Sequence, residues 1–117
     1  MENLAVIDLG SNSVRMTINR ISNDGSYETV TEEKEYVRLS ENMGVKKILQ
    51  PEAIERTISA LKGFKAIYSK LNHLKIVAVA TAAVRQATNQ KQFLKRVKND
   101  IGISLNVISG TREAYLD

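Results

Sequence analysis

The chain has 117 residues, 43% of them hydrophobic and 26% charged, with a net charge of +4. That is one domain's worth of sequence with enough apolar residues for a packed core. The absence of cysteine excludes disulfide frameworks, thiol nucleophiles and cysteine zinc sites, and a single histidine, His73, excludes a multi-histidine metal site. The mild positive charge suits an anionic ligand without requiring one, and by itself makes no case for nucleic acid. No basic segment followed by an apolar core opens the chain, and no apolar run reaches the roughly 20 residues of a membrane helix, so the expected place is the cytoplasm with no membrane partner.

In chain order, Leu4 to Asp8 reads as a buried strand that runs straight into Leu9-Gly10-Ser11-Asn12-Ser13. A second strand, residues 14–21, follows at once, so the loop is the tight turn of a hairpin. The turn brings one carboxylate, a permissive glycine and two hydroxyls to one point. Asp8 can hold hydrated Mg²⁺, Gly10 lets the backbone approach an anion, and the loop N–H groups with Ser11 and Ser13 can donate to phosphate oxygens. A plain hairpin turn explains the same residues equally well.

Ser22-Asn23-Asp24-Gly25 is a strong turn signal, and residues 27–39 form a third extended segment. Its central charges (Glu32, Glu33, Lys34, Glu35) predict an edge strand with one wet face. Residues 40–50 form a polar connection. Pro51 stands where its fixed φ suits a first helical position, and Ile54, Ile58, Leu61, Tyr68 and Leu71 recur at helical spacing, predicting a helix that ends near Asn72. His73, between helix and strand, reads as a surface residue. The apolar run 74–80 predicts a central strand covered on both faces, and 81–89 a connection. Phe93, Leu94 and Val97 define a second helix that Gly102 can cap, residues 105–108 a last short strand, and Ser109 the cap of a final helix containing Glu113.

The order β-β-β-α-β-α-β-α is that of an α/β, ribonuclease-H-like lobe with a mixed five-stranded sheet. Its strand ends carry Asp8, then Thr81 to Arg85, then Ser109 to Glu113, so three segments point at one crevice. An arginine among small residues, Arg85, can pair bidentately with phosphate oxygens; it also fits a solvated side chain or a structural partner of Asp8 or Glu113. Glu113 in the first turn of a helix can serve as a general base, or simply answer the helix dipole. The final helix is only seven or eight residues long at the chain end, which is marginal, so the expectation is a longer protein of which residues 1–117 are the N-terminal lobe.

Taken together, Asp8-x-Gly10-Ser11-Asn12-Ser13, Thr81-x-Ala83-x-Arg85-x-Ala87-x-Asn89 and Ser109-Gly110-x-x-Glu113-Ala114 resemble the exopolyphosphatase / guanosine pentaphosphate phosphohydrolase family. The resemblance extends along the chain, including Pro51-Glu52-Ala53-Ile54-Glu55-Arg56. It implies a lobe of the actin- and sugar-kinase-like superfamily and hydrolysis of a terminal phosphoanhydride in inorganic polyphosphate or guanosine pentaphosphate. By that resemblance Glu113 is the catalytic base; Gly10, Ser11, Asn12 and Ser13 form the first phosphate loop; Asp8 is the acid leading into it; and Arg85 reaches the phosphates. Thr111-Arg112 departs from the acidic pair often found before the base, and the family's second phosphate loop, Asp-x-Gly-Gly-Gly-Ser, is absent from this chain. The implied partners are the phosphate substrate, Mg²⁺ and the missing C-terminal lobe; apolar surface left open on the cleft side suggests a homodimer. Three rivals stay open. An ATP-using actin- or sugar-kinase-like lobe shares the fold, and a non-catalytic polyphosphate-binding or interaction domain needs none of the chemistry. A nuclease is disfavoured because the fourth strand ends in Ala80-Thr81 without a metal-binding acid.

Overall fold

The computed structural model describes residues 2–109. Three antiparallel strands open it: β1 (Glu2–Leu9), β2 (Val14–Ile21) and β3 (Tyr27–Glu35). Then follow α1 (Pro51–Tyr68), β4 (Leu74–Ala80), the short α2 (Ala82–Gln86), α3 (Gln90–Asp100) and β5 (Asn106–Val107). The five-stranded sheet has the order β3-β2-β1-β4-β5. β1 is antiparallel to β2 and parallel to β4, and β4 is parallel to β5. The mixed α/β sheet expected from the sequence is the one observed. The predicted final helix with Glu113 lies outside the described residues.

Alternation along the strands sends one set of side chains to the helices. Ala5, Ile7 and Leu9 of β1, Val14, Met16 and Ile18 of β2, and Ala78 and Ala80 of β4 are all buried. Against them α1 lays Ala53, Ile58, Leu61, Phe64 and Tyr68, spaced at three to five residues, and α3 adds Phe93 and Val97. Burying one such large apolar side chain contributes about 2 kcal/mol, so this single layer carries most of the lobe's stability. Pro51 occupies the first turn of α1, as its geometry favours. Gly102 (φ 87°) closes α3, its N–H bonding to the carbonyls of Val97 and Lys98.

Four details differ from the sequence expectation. The α1 helix stops at Tyr68 rather than near Asn72; His73, exposed as expected, then takes φ 52° and swings the chain into β4. Residues 81–89 are not wholly a connection, because Ala83 and Val84 are buried and fold the short α2 over β4. The strand β3 is indeed at the edge, yet it is exposed on both faces except at Thr31, because α1 lies against β2 and none of the described helices packs extensively on β3. Among the described residues β4 is covered on one face only: Ala78 and Ala80 are buried while Val77 is 45% exposed and Lys75 faces solvent. An apolar run is the mark of a strand covered twice. Among the described residues the helices supply only one cover.

Candidate functional site

Three strand ends lie side by side at one edge of the sheet. Leu9 pairs with Ala80 and Ala80 with Val107, so β1, β4 and β5 finish level with one another. Backbone bonds extend the alignment past the strands: Thr81 N–H donates to Leu9 C=O at 3.0 Å, and Ile108 N–H to Ala80 C=O at 3.0 Å. The crevice outside such carboxyl ends is where open α/β sheets bind ligands.

The loop of residues 10–13 closes on itself through Gly10 N–H to Ser13 C=O at 2.9 Å. Thr81 lies beneath it, its Oγ1 3.4 Å from Leu9 C=O. From the other side comes the segment that follows β3. Arg38 N–H donates to Asn12 C=O at 2.9 Å and Ser40 N–H to Ser11 C=O at 3.0 Å. A trans peptide group points its C=O and N–H in opposite directions. Tying the carbonyls of Ser11 and Asn12 to residues 38 and 40 therefore aims the N–H groups of Asn12 and Ser13 away from that segment. Successive backbone donors with neighbouring hydroxyls are the arrangement that an anion-binding nest uses, which makes this loop a candidate for one. Gly10 has an unexceptional φ, and a Cβ there would meet Ser13 C=O at 3.5 Å and Thr81 Oγ1 at 3.9 Å, ordinary contacts both. Among the described residues, then, nothing forbids a Cβ at this position.

Asp8, exposed at the end of β1, sits directly across from Arg15 on β2, a favourable pairing of opposite charges. Arg85 rises from α2, and its Nη1 donates to Ile108 C=O at 2.9 Å. The guanidinium so joins the end of the β4 segment to the end of β5. Ser109 follows at once, exposed. The structure thus brings Asp8, the loop of residues 10–13, Arg85 and Ser109 to one edge, whereas Glu113 lies outside the described residues. Among those residues no cluster of three or more His, Cys, Asp or Glu side chains could cage a metal. A single carboxylate such as Asp8 suits a hydrated Mg²⁺ that arrives on phosphate oxygens, since that ion commonly takes only one or two protein carboxylates.

The sequence reading missed the 37–41 segment. Val37 and Leu39 are buried and flank exposed Arg38, a strand-like alternation, but Arg38 takes φ 49° and turns the chain over the loop. Backbone N–H groups make these contacts, so no side-chain signal marked them. Conversely, two residues of the Thr81 to Asn89 motif prove structural. Asn89 brackets Leu49, accepting from its N–H at 3.0 Å and donating to its C=O at 3.1 Å, and Thr88 N–H donates to Lys47 C=O at 2.8 Å.

The family model for the Ppx/GppA phosphatase family matches residues 17–117. The chain belongs to that family. A crystal structure of the Aquifex aeolicus Ppx/GppA family member superposes with a TM-score of 0.90 at 37% identity, covering 96% of this chain and 36% of the other. An exopolyphosphatase from Cytophaga hutchinsonii gives a TM-score of 0.92 at 33% identity, covering 98% of this chain and 36% of that one. In sequence, a bifunctional 3-dehydroquinate synthase/phosphatase of Fusobacterium nucleatum is 38% identical over 119 residues, covering 97% of this chain and 18% of its own length. The chain therefore spans about a third of the solved Ppx/GppA relatives and under a fifth of the fused phosphatase. No helix among the described residues is long and apolar enough to cross a membrane.

Proposed function

We propose that the protein carrying this lobe hydrolyses the terminal phosphoanhydride of inorganic polyphosphate or of guanosine pentaphosphate. The observation that carries the reading is the meeting of three strand ends. One bears the candidate anion nest of residues 10–13, one Arg85, and one the backbone leading through Ser109 toward Glu113. Gly10 adds support. A Cβ there would meet only ordinary contacts among the described residues, and a bare backbone at this point suits close approach by a ligand.

In this mechanism the terminal phosphoryl group rests on the N–H groups of Asn12 and Ser13 and the hydroxyls of Ser11 and Ser13. Arg85 extends the positive field to the neighbouring phosphate. Glu113 takes a proton from water as its oxygen attacks the terminal phosphorus. The bond between that phosphorus and the bridging oxygen breaks, releasing inorganic phosphate and a chain shorter by one unit. Fixed donors around the phosphoryl oxygens offset their charge without reorganising, which is the main catalytic resource in phosphoryl transfer. Asp8 is the residue here that would hold Mg²⁺, which when bound supplies further charge neutralisation at phosphate oxygens.

The decisive experiment is Glu113→Gln in the full-length protein, with phosphate release followed from both polyphosphate and guanosine pentaphosphate. Loss of a general base predicts a fall of about 10²–10⁴-fold in kcat. Undiminished turnover removes Glu113 from that role. Residues 1–117 alone, which correspond to about a third of the solved relatives, are expected to release little phosphate, because the second wall of the cleft belongs to the remaining length.

A further inference from the structure

The phosphate loop has a second layer of support that reaches back to a charge on α1. Arg56 is half-buried, its side chain 29% exposed. Its Nε donates to Val37 C=O at 2.9 Å, and its Nη2 to Arg38 C=O at 3.2 Å and to Glu41 Oε1 at 3.1 Å. The Val37 carbonyl belongs to the same peptide group as the Arg38 N–H, which donates to Asn12 C=O at 2.9 Å. The Asn12 carbonyl belongs to the same peptide group as the Ser13 N–H. The path is therefore continuous: guanidinium, peptide 37–38, peptide 12–13, and then the donor that faces the anion.

Each hydrogen bond in such a chain polarises the next, and more so when its first donor is charged and partly shielded from water. Arg38 holds φ 49° in this path, a left-handed backbone that a non-glycine residue adopts at a cost. Strain of that kind persists where surrounding contacts over-determine it, and here the contacts are the Arg56 fork on one side and the Asn12 carbonyl on the other. The second carbonyl bond of the fork, to Arg38 C=O, fixes the following peptide group as well, so the backbone of residue 38 is gripped at both ends.

We propose that Arg56, remote from the reacting atoms, is a positioning residue for phosphate recognition: its charge, relayed through peptides 37–38 and 12–13, orients and strengthens the Ser13 N–H as an anion donor. This rests on the reading of residues 10–13 as a phosphate loop. Because that donor meets charge already present on the bound polyanion, the relay acts on substrate affinity more than on the chemical step.

The test uses the full-length protein and tripolyphosphate as the probe, with backbone amide NMR and steady-state kinetics. In the wild type, tripolyphosphate should shift the Asn12 and Ser13 amides. Arg56→Gln should move the Ser13 amide proton upfield before any ligand is added. It should also weaken tripolyphosphate binding and raise KM roughly fivefold to tenfold, with kcat changing less than about twofold. Arg96→Gln is the matched control. It removes an arginine whose side chain is 41% exposed and bonds Glu55 of α1 at 2.8 Å and Asp100 of α3 at 2.6 Å, and should leave the Ser13 amide and KM in place. Should Arg56→Gln fail to fold, Arg56→Met carries the comparison, since it keeps an unbranched apolar stem while removing both the charge and the donors. An unmoved Ser13 amide and unchanged KM in a folded Arg56 variant overturn the relay while leaving the phosphate loop standing. Absence of any tripolyphosphate shift at Asn12 and Ser13 in the wild type removes the phosphate loop, and the relay with it.

Discussion

Two turns of nearly the same composition sit at opposite ends of β2, and they are held by different physics. The turn of residues 22–26 is closed by its own members. Ser22 N–H donates to Ser26 C=O, Gly25 N–H to Ser22 C=O, and the Ser26 N–H and hydroxyl both donate to the Asp24 carboxylate. The loop of residues 10–13 has one internal backbone bond among the described residues and is otherwise tied by residues distant in sequence, Arg38 and Ser40 across its carbonyls, while Thr81 holds the Leu9 carbonyl that precedes it. A turn that satisfies itself spends its donors on itself. A loop braced from outside through its carbonyls keeps donors for a ligand, and this separates a structural Ser/Asn/Gly turn from a candidate phosphate loop.

The strongest way to break the contrast is Arg38→Pro. It deletes the N–H that holds Asn12 C=O and cannot adopt φ 49°, so it should cost about 3 kcal/mol of stability and abolish tripolyphosphate binding, read by denaturant unfolding and titration. Arg38→Gly retains the N–H and accepts the positive φ, and should lose far less of both. If the proline variant binds as the wild type does, the brace is not what prepares the loop. In the other turn, Gly25→Ala strains a residue at φ 87° where the added Cβ would meet nothing within 4 Å, so it should cost about 1 kcal/mol and leave tripolyphosphate affinity alone. A change in affinity there would join the two turns functionally and dissolve the comparison.

The smallest effect is a pH dependence. The Ser26 hydroxyl and N–H hold the Asp24 carboxyl below its ordinary value of 3.8. The contribution is present above the unfolded value and fades as pH falls through the lower folded one. The small difference in melting temperature between wild type and Asp24→Ala should therefore be seen near pH 7 and fade as the pH falls below the ordinary carboxylate value. A difference that persists in acid would mean the carboxylate bonds are not what close this turn.

Much of this protein was readable before folding. The strand-loop-strand at residues 4–21 was legible because an apolar run leads into the Gly/Ser loop and residues 14–21 alternate with a period of two. The α1 helix was legible because Ile54, Ile58 and Leu61 follow a helical spacing behind Pro51, and the Gly102 cap because positive φ selects glycine. Asp8, the loop of residues 10–13 and Arg85 were nominated by residue type and by their places at strand ends, and the fold gathers them at one edge. The double exposure of β3 and the bare face of β4 were not legible. Charge and apolar runs report what a strand tolerates on its faces, and only the positions of the helices decide which faces are covered.

The sequence by itself determined the main strands, α1 and α3, though not the short α2, and which residue types stand at the strand ends, because those follow from local periodicity and turn chemistry. Only the tertiary structure decided that Val37 and Leu39 turn inward around a left-handed Arg38, that Arg56 reaches the carbonyls of Val37 and Arg38, and that the N–H groups of Asn12 and Ser13 are aimed away from that segment. The reason is that these links run between backbone groups, which every residue carries alike, so no choice of side chain along the sequence announces where they meet.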